Sequence, residues 1–183
     1  MKMLRVKKNG QRVLGIDHST NTLAFCISED GKVKDWGEIP LVGNNVFERM
    51  GDLHYKLKYH FGNTTANVLC IEKTVQVNSR DTVVKLAMIA GVIIGFFAEY
   101  GLKVHEVPAL TWQSATAKPT LTSPEQAKLK LENPGRTKSW YSNEARKIRK
   151  QRIIDWVETN YGIIAPSDAA DAICISLYGG SKL

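Results

Sequence analysis

Three cysteines are all the chain has, Cys26, Cys70 and Cys174, far apart and set among apolar neighbours. No CxxC spacing occurs, which excludes a cysteine zinc site and points to buried free thiols in a reducing compartment. The longest apolar run, residues 86–98, is 13 residues long. A bilayer span needs roughly 18 to 20, so the run falls short and no membrane partner is expected. The N-terminal MKMLRVKKNG is basic but lacks the apolar centre of a signal peptide. Ser181-Lys182-Leu183 spells a peroxisomal address, but three residues match by chance too easily to outweigh the rest, and the expected location is cytoplasmic. Repeats and low-complexity segments are also missing.

What is present suits one core. With 183 residues, 43% of them apolar, the chain is long enough for one well-formed interior and short for two. A single domain over 1–183 is expected. The formal charge is +7, and residues 118–152 hold all of it, with ten Lys/Arg against three acids. The remainder carries 15 of each sign. Concentration in one segment is the footprint of a polyanion-binding surface, although a solvated basic loop has the same composition.

The organising stretch is RVLGIDHST, residues 12–20. Val13, Leu14 and Ile16 read as a strand buried in a sheet, and the strand ends on Asp17. Desolvating an unpaired carboxylate costs several kcal/mol, on the order of a buried ion's penalty, so packing does not explain it. Residues 22–28 and 32–39 read as further strands joined through the turn Glu29-Asp30-Gly31, giving three hairpin-linked antiparallel strands at the start. Apolar residues at helical spacing predict an amphipathic helix over 46–61. NVLCIE, 67–72, is a fourth strand that again ends on an acid, Glu72. Residues 79–100 form the most apolar helix candidate, and its second half is apolar all round. Such a helix is buried on both sides, with a second subunit the simplest cover, and Gly91 and Gly95 would permit close approach. LKVHEV, 102–107, is a fifth strand, followed by a short helix from Pro108 to Ser114.

Residues 118–142 break the pattern with three prolines and no sustained periodicity. They could be a long ordered loop, a small insertion or a mobile flap. Asn143 is expected to cap a helix to about Asn160, ended by Gly162, and Ser167 to cap a last helix through Tyr178. In that last helix Asp168 and Asp171 are three apart and share a face. Acids in a first turn are also ordinary partners of the helix dipole. An acid ending strand one, an acid ending strand four and an acid pair opening the closing helix nevertheless form a set, whose repulsion a divalent cation would cancel.

These residues resemble a known family. GIDHST (15–20), IEKTVQVNSRDTVVKLAMIAGVIIG (71–95) and SDAADAICISLYG (167–179) are similar, in order and separation, to the three acidic motifs of RuvC-type Holliday-junction resolvases. The resemblance implies an α/β RNase H-like fold with a mixed five-stranded sheet flanked by helices. It covers nearly the whole chain apart from a basic insertion at about 118–142, which with the small size is similar to a phage-type branch. It further implies that Asp17, Glu72, Asp168 and Asp171 are catalytic and metal-binding. The cofactor would be two Mg²⁺ ions, with Mn²⁺ as a substitute, because hard oxygen ligands suit these ions and not zinc. No histidine base is then needed. His18, beside the first acid where the family more often has proline, could touch substrate or simply be exposed.

Two departures stand out. The family commonly has an aromatic residue three beyond the second acid, and here that position is Val75, too small to stack on a base. Trp140 and Tyr141 could supply stacking or merely anchor the insertion. The family's lysines fall near 112–118 and the following helix. Lys118, Lys147 and Lys150 are therefore candidates for phosphate contact, with Arg136 and Lys138 as further DNA contacts, whereas Arg146, Lys147 and Arg149 taken singly read as solvated charges. The implied activity is Mg²⁺-dependent endonucleolytic resolution of four-way and other branched DNA by paired symmetric nicks. It would be carried out by a homodimer joined through the helix at 86–97, because a two-fold junction needs two related sites. Rival readings are a ribonuclease or single-strand nuclease on the same fold, or a non-catalytic nucleic-acid scaffold.

Overall fold

A computed structural model describes residues 10–74 and 79–182; Val75 lies outside them. Five strands form one mixed sheet in the order β3-β2-β1-β4-β5. β1 (Arg12–His18), β2 (Thr22–Glu29) and β3 (Lys32–Pro40) run antiparallel as expected, while β4 (Val68–Glu72) and β5 (Lys103–Val107) continue parallel from β1. The β2–β3 turn is the two-residue loop Asp30-Gly31, with φ of 49° and 74°. Both angles are positive, as a tight hairpin matching the strand twist requires.

Strand alternation sorts the sheet's two faces. Leu14, Ile16, Leu69 and Ile71 point to one side, against α1 (Val46–Phe61) and α2 (Arg80–Glu99). Val13, Ala24, Cys26 and Cys70 point to the other, against α5 (Lys138–Tyr161) and α6 (Ser167–Lys182). The three thiols are free and buried, and burial pushes those of Cys26 and Cys70 up to about 12.

α6 lies directly on the sheet because small residues meet there. A Cβ on Gly15 would come within 2.6 Å of the Ala172 carbonyl oxygen, and one on Gly179 within 2.9 Å of Val13 Cγ1. The Ser176 hydroxyl, fully buried, bonds the Val13 carbonyl (2.9 Å) and the Ser28 hydroxyl (2.7 Å). Helix and strand are thereby fixed in register.

α2 is covered by its own chain on one face. Ile89, Ile93 and Phe97 are fully buried, but Val84 is 57% exposed. Ala87, Gly91, Gly95 and Ala98 also face outward, and a Cβ on either glycine would meet nothing within 4 Å. Within one chain the helix is covered on one side only. By length and composition its 20 residues, with a window of mean hydropathy 1.9, could also cross a membrane. Counting only the run 86–98 missed this, because Val83 and Val84 extend the apolar stretch past Lys85. The packed face is that of a core helix.

After α3 (Ala109–Ala115), the region 118–142 is largely helical: α4 (Ser123–Glu132) leads by a short turn into α5. Asn143 does not cap α5 but sits inside it. The cap is Thr137, whose hydroxyl oxygen accepts from the Trp140 amide (3.3 Å). Periodicity failed here because α4 buries no residue at all and α5 buries only Ile153 and Val157. Polar links hold the hairpin instead. Glu125 accepts from the Thr122 amide (2.7 Å) and pairs with Arg152 Nη2 (2.5 Å), and the Arg152 bond leads in holding its carboxyl down at about 2. The Tyr141 hydroxyl donates to the Asn133 carbonyl. Gly162, at φ 69°, ends α5 in the left-handed conformation that favours glycine. Ser167 is already helical, since the Ala170 amide donates to the Pro166 carbonyl (2.9 Å).

Candidate active site

The parallel β1–β4 register pairs Ile16 with Ile71. One step further along both strands stand Asp17 and Glu72. Because alternation sends Ile16 and Ile71 to the α1/α2 face, Asp17 and Glu72 project to the α6 face. There α6 contributes Asp168 from its first turn and Asp171, three residues on, from the same face. That turn is tied to the sheet by Glu38 on β3, whose Oε1 accepts from the Ala169 amide (3.2 Å). Carboxylate oxygens of Asp17, Asp168 and Asp171 lie within 4.8 Å of one another. Glu72 lines the same cleft, of about 390 Å³, with Oε2 held by the indole Nε1–H of Trp112 at 2.8 Å. Trp112 is fully buried, so that bond fixes the carboxylate from behind.

The acids are energetically unfavourable neighbours. Burial, then repulsion from Asp171, Glu72 and Asp168, raises the Asp17 carboxyl well above its ordinary value, with Lys150 opposing. Burial and then Glu72 push Asp171 up to about 7. Glu72 is raised by burial, against the Trp112 bond and the charge of Arg149. Asp171 Oδ1 is buried with no hydrogen-bond partner. The direct ion pair in the cluster is Lys150 Nζ to Asp168 Oδ1, at 3.0 Å. An oxygen-only donor set with an orphaned, buried carboxylate oxygen fits a hard divalent cation and offers nothing to a soft one.

Of the basic and aromatic residues singled out from sequence, Lys150 reaches the cleft. Lys147 and Trp140 line an adjoining groove, with Lys147 also pairing with Glu144 at 3.1 Å. Lys118, Arg136, Lys138 and Tyr141 are not brought to the acids. Lys118 is exposed, its amide donating to the Gln113 carbonyl (2.8 Å). Lys138 and Tyr141 line a cavity between α4 and α5, and the Arg136 guanidinium sits 5.3 Å over the Trp140 ring. His18 is not exposed: it lines the cleft with both ring nitrogens buried, and burial lowers its pKa against the opposing effect of the Leu86 backbone. Sequence reasoning missed Trp112 and Glu38, which act across 40 and 131 residues of chain and leave no local signal. Arg146 and Arg149, read singly as solvated, both line the cleft; their i, i+3 spacing ahead of Lys150 was the available clue.

No family model and no curated protein sequence matches the chain. Its fold matches solved structures. Thermus thermophilus RuvC in complex with a Holliday-junction substrate aligns with a TM-score of 0.66 at 14% identity, over 93% of each chain. A further T. thermophilus RuvC structure gives 0.64 at 15% identity, over 93% of this chain and 94% of that one. The yeast mitochondrial Holliday-junction resolvase Ydc2 gives 0.51 at 14% identity, over 94% and 78%. The chain therefore has the RNase H-like fold seen in RuvC.

Proposed function

We propose that the chain is a divalent-metal-dependent endonuclease that resolves four-way and other branched DNA by paired nicks. The observation that carries this is the convergence of Asp17, Asp168 and Asp171 within 4.8 Å, beside Glu72, in a cleft also lined by Arg146, Arg149 and Lys150. Asp17, Asp168 and Asp171 would hold the cations, with Glu72 completing the set. Mg²⁺ in this donor set, or Mn²⁺ in its place, supplies activation of the attacking water and stabilisation of the leaving oxygen. Trp112 orients the Glu72 carboxylate and favours its ionised form against the burial that raises its pKa. Arg146 and Arg149 would meet the phosphodiester and balance its charge, and Lys150, on Asp168 at 3.0 Å, would add a third cation beside the phosphate. The basic α4–α5 segment of this single domain supplies salt-sensitive affinity.

The open face of α2 supports a homodimer. A four-way junction is two-fold symmetric, so two sites related by the same symmetry can nick opposing strands. The fold of RuvC adds support at the level of architecture. The test is incubation of the protein with end-labelled four-way junction, three-way junction, linear duplex and RNA–DNA hybrid, with and without Mg²⁺. Symmetric Mg²⁺-dependent cuts in the four-way junction are expected. Cutting of the hybrid alone would make the protein a ribonuclease, and Asp17→Asn protein that still cuts would place the chemistry elsewhere.

A further inference from the structure

The α5 groove has a shape and composition that phosphate contact alone does not explain. It encloses about 480 Å³ and is lined by Trp140, Asn143, Glu144, Arg146, Lys147 and Lys150. Arg146 and Lys150 also line the acidic cleft, so the two depressions share a wall. Lys147 is bonded to Glu144 at 3.1 Å and Lys150 to Asp168 at 3.0 Å, which leaves Arg146 as the cation shared by the two depressions that carries no acid partner among the described residues. At its far end Trp140 is half-buried, packed edge-on against Tyr141 with ring centroids 5.2 Å apart and overlain by Arg136. Tyr141 is tied to the Asn133 carbonyl, so the indole stands on a fixed support. A cation held on an aromatic ring at the end of a basic groove suits a nucleobase and its phosphate together.

We propose that this groove binds an unpaired stretch of the DNA strand being cut, with a base stacked on Trp140. This rests on the nuclease reading and adds a substrate feature to it. Ten residues of helix separate Lys150 from Trp140, about 15 Å at 1.5 Å per residue. A stacked strand advances about 3.4 Å per nucleotide, so the contacted base lies within about four nucleotides of the scissile phosphate. A base can reach an indole only when it has left its duplex partner, so the groove selects junctions whose core is open.

The test measures affinity of the full-length protein by fluorescence anisotropy, without metal, for a short single strand, a four-way junction and a linear duplex. Trp140→Ala is expected to weaken the single strand and the junction by roughly five- to 100-fold, leave the duplex within two-fold, and be largely rescued by Trp140→Phe. Equal loss on all three ligands, or no loss on the single strand, overturns the proposal, as does equally effective displacement of the strand by poly-glutamate. If Trp140→Ala unfolds the hairpin, an abasic scan of the junction on unaltered protein decides. One position within four nucleotides of the cut should lose affinity, and a flat scan overturns the inference. Because the readout is binding, a protein that cuts no junction yet keeps Trp140-dependent strand affinity would refute the nuclease reading, and with it the link to a cut strand, while the stacking of an unpaired base on Trp140 would stand.

Discussion

Replacing Asp171 by Asn should make the metal-free protein more stable while abolishing any cutting. The carboxyl is pushed up to about 7, first by burial and then by Glu72, against about 3.9 in an unfolded chain. For an acid whose folded pKa is raised, the penalty starts as pH climbs past the unfolded value and is complete above the folded one. A rise of roughly three units at about 1.4 kcal/mol each sets an upper bound near 4 kcal/mol at pH 8. Water at the cleft mouth screens part of that, so about 1 to 3 kcal/mol is expected, or roughly 3 to 10 °C in melting temperature for a chain of this size. The gain should shrink on acidification and vanish near pH 4. Thermal melts by circular dichroism in EDTA, from pH 4 to 8.5, read this directly. Added Mg²⁺ should raise the melting temperature of the unaltered protein by mass action and that of Asp171→Asn much less. An Asn variant that melts lower at pH 8 in EDTA, or whose gain does not change with pH, would refute the idea that repulsion strains this cluster.

Gly15→Ala should cost about 3 kcal/mol, because the new methyl would sit 2.6 Å from the Ala172 carbonyl oxygen; chemical denaturation measures it, and the displaced α6 should take cutting with it. Trp112→Phe removes the bond to Glu72, so cleavage or metal affinity should fall 10- to 100-fold. The Glu72 carboxyl then rises further, moving the acid limb of the pH–rate profile upward, and higher Mg²⁺ should restore part of the rate. Gly95→Glu adds a side chain where nothing lies within 4 Å, so the fold should be unaffected; if α2 joins two subunits, sedimentation should show monomers and paired nicking should become single nicking.

What could be read from the sequence follows from which forces hold each element. α1 lies over Val46–Phe61 as periodicity places it, because its core-facing residues Leu53, Leu57 and Phe61 recur at helical spacing. The Asp30-Gly31 turn was legible because positive φ at both residues selects such pairs. α4 was not, since it has no apolar face, and its cohesion comes from one carboxylate shared between Thr122 and Arg152. Its start was nonetheless written in the sequence: Thr122 followed by Glu125 is a capping box with Pro124 in the first turn. Asp17 and Glu72 were legible because a charge at the end of a buried strand has no packing explanation, and Asp168 and Asp171 because their spacing puts them on one helical face in a motif that resembles the family's. Trp112 was not found, because a buried tryptophan looks the same in sequence whether its N–H meets a backbone carbonyl or Glu72.

One geometric rule joins the fold to its chemistry. Side chains alternate along a strand, so the register that sends Leu14, Ile16, Leu69 and Ile71 into the α1/α2 core must send Asp17 and Glu72 to the opposite face together. Cys70 and Val13 share that opposite face, and there small residues let α6 lie against the strands. Close approach is what brings Asp168 and Asp171 to the strand acids; a bulkier residue than Gly15 would hold the helix off and relieve the repulsion. The cluster is thus a consequence of the same contacts that bury the core, and it cannot relax without undoing them. A protein built this way holds its carboxylates in a state that cation binding relieves, and the free energy of that relief is available only while the sheet and α6 stay locked together.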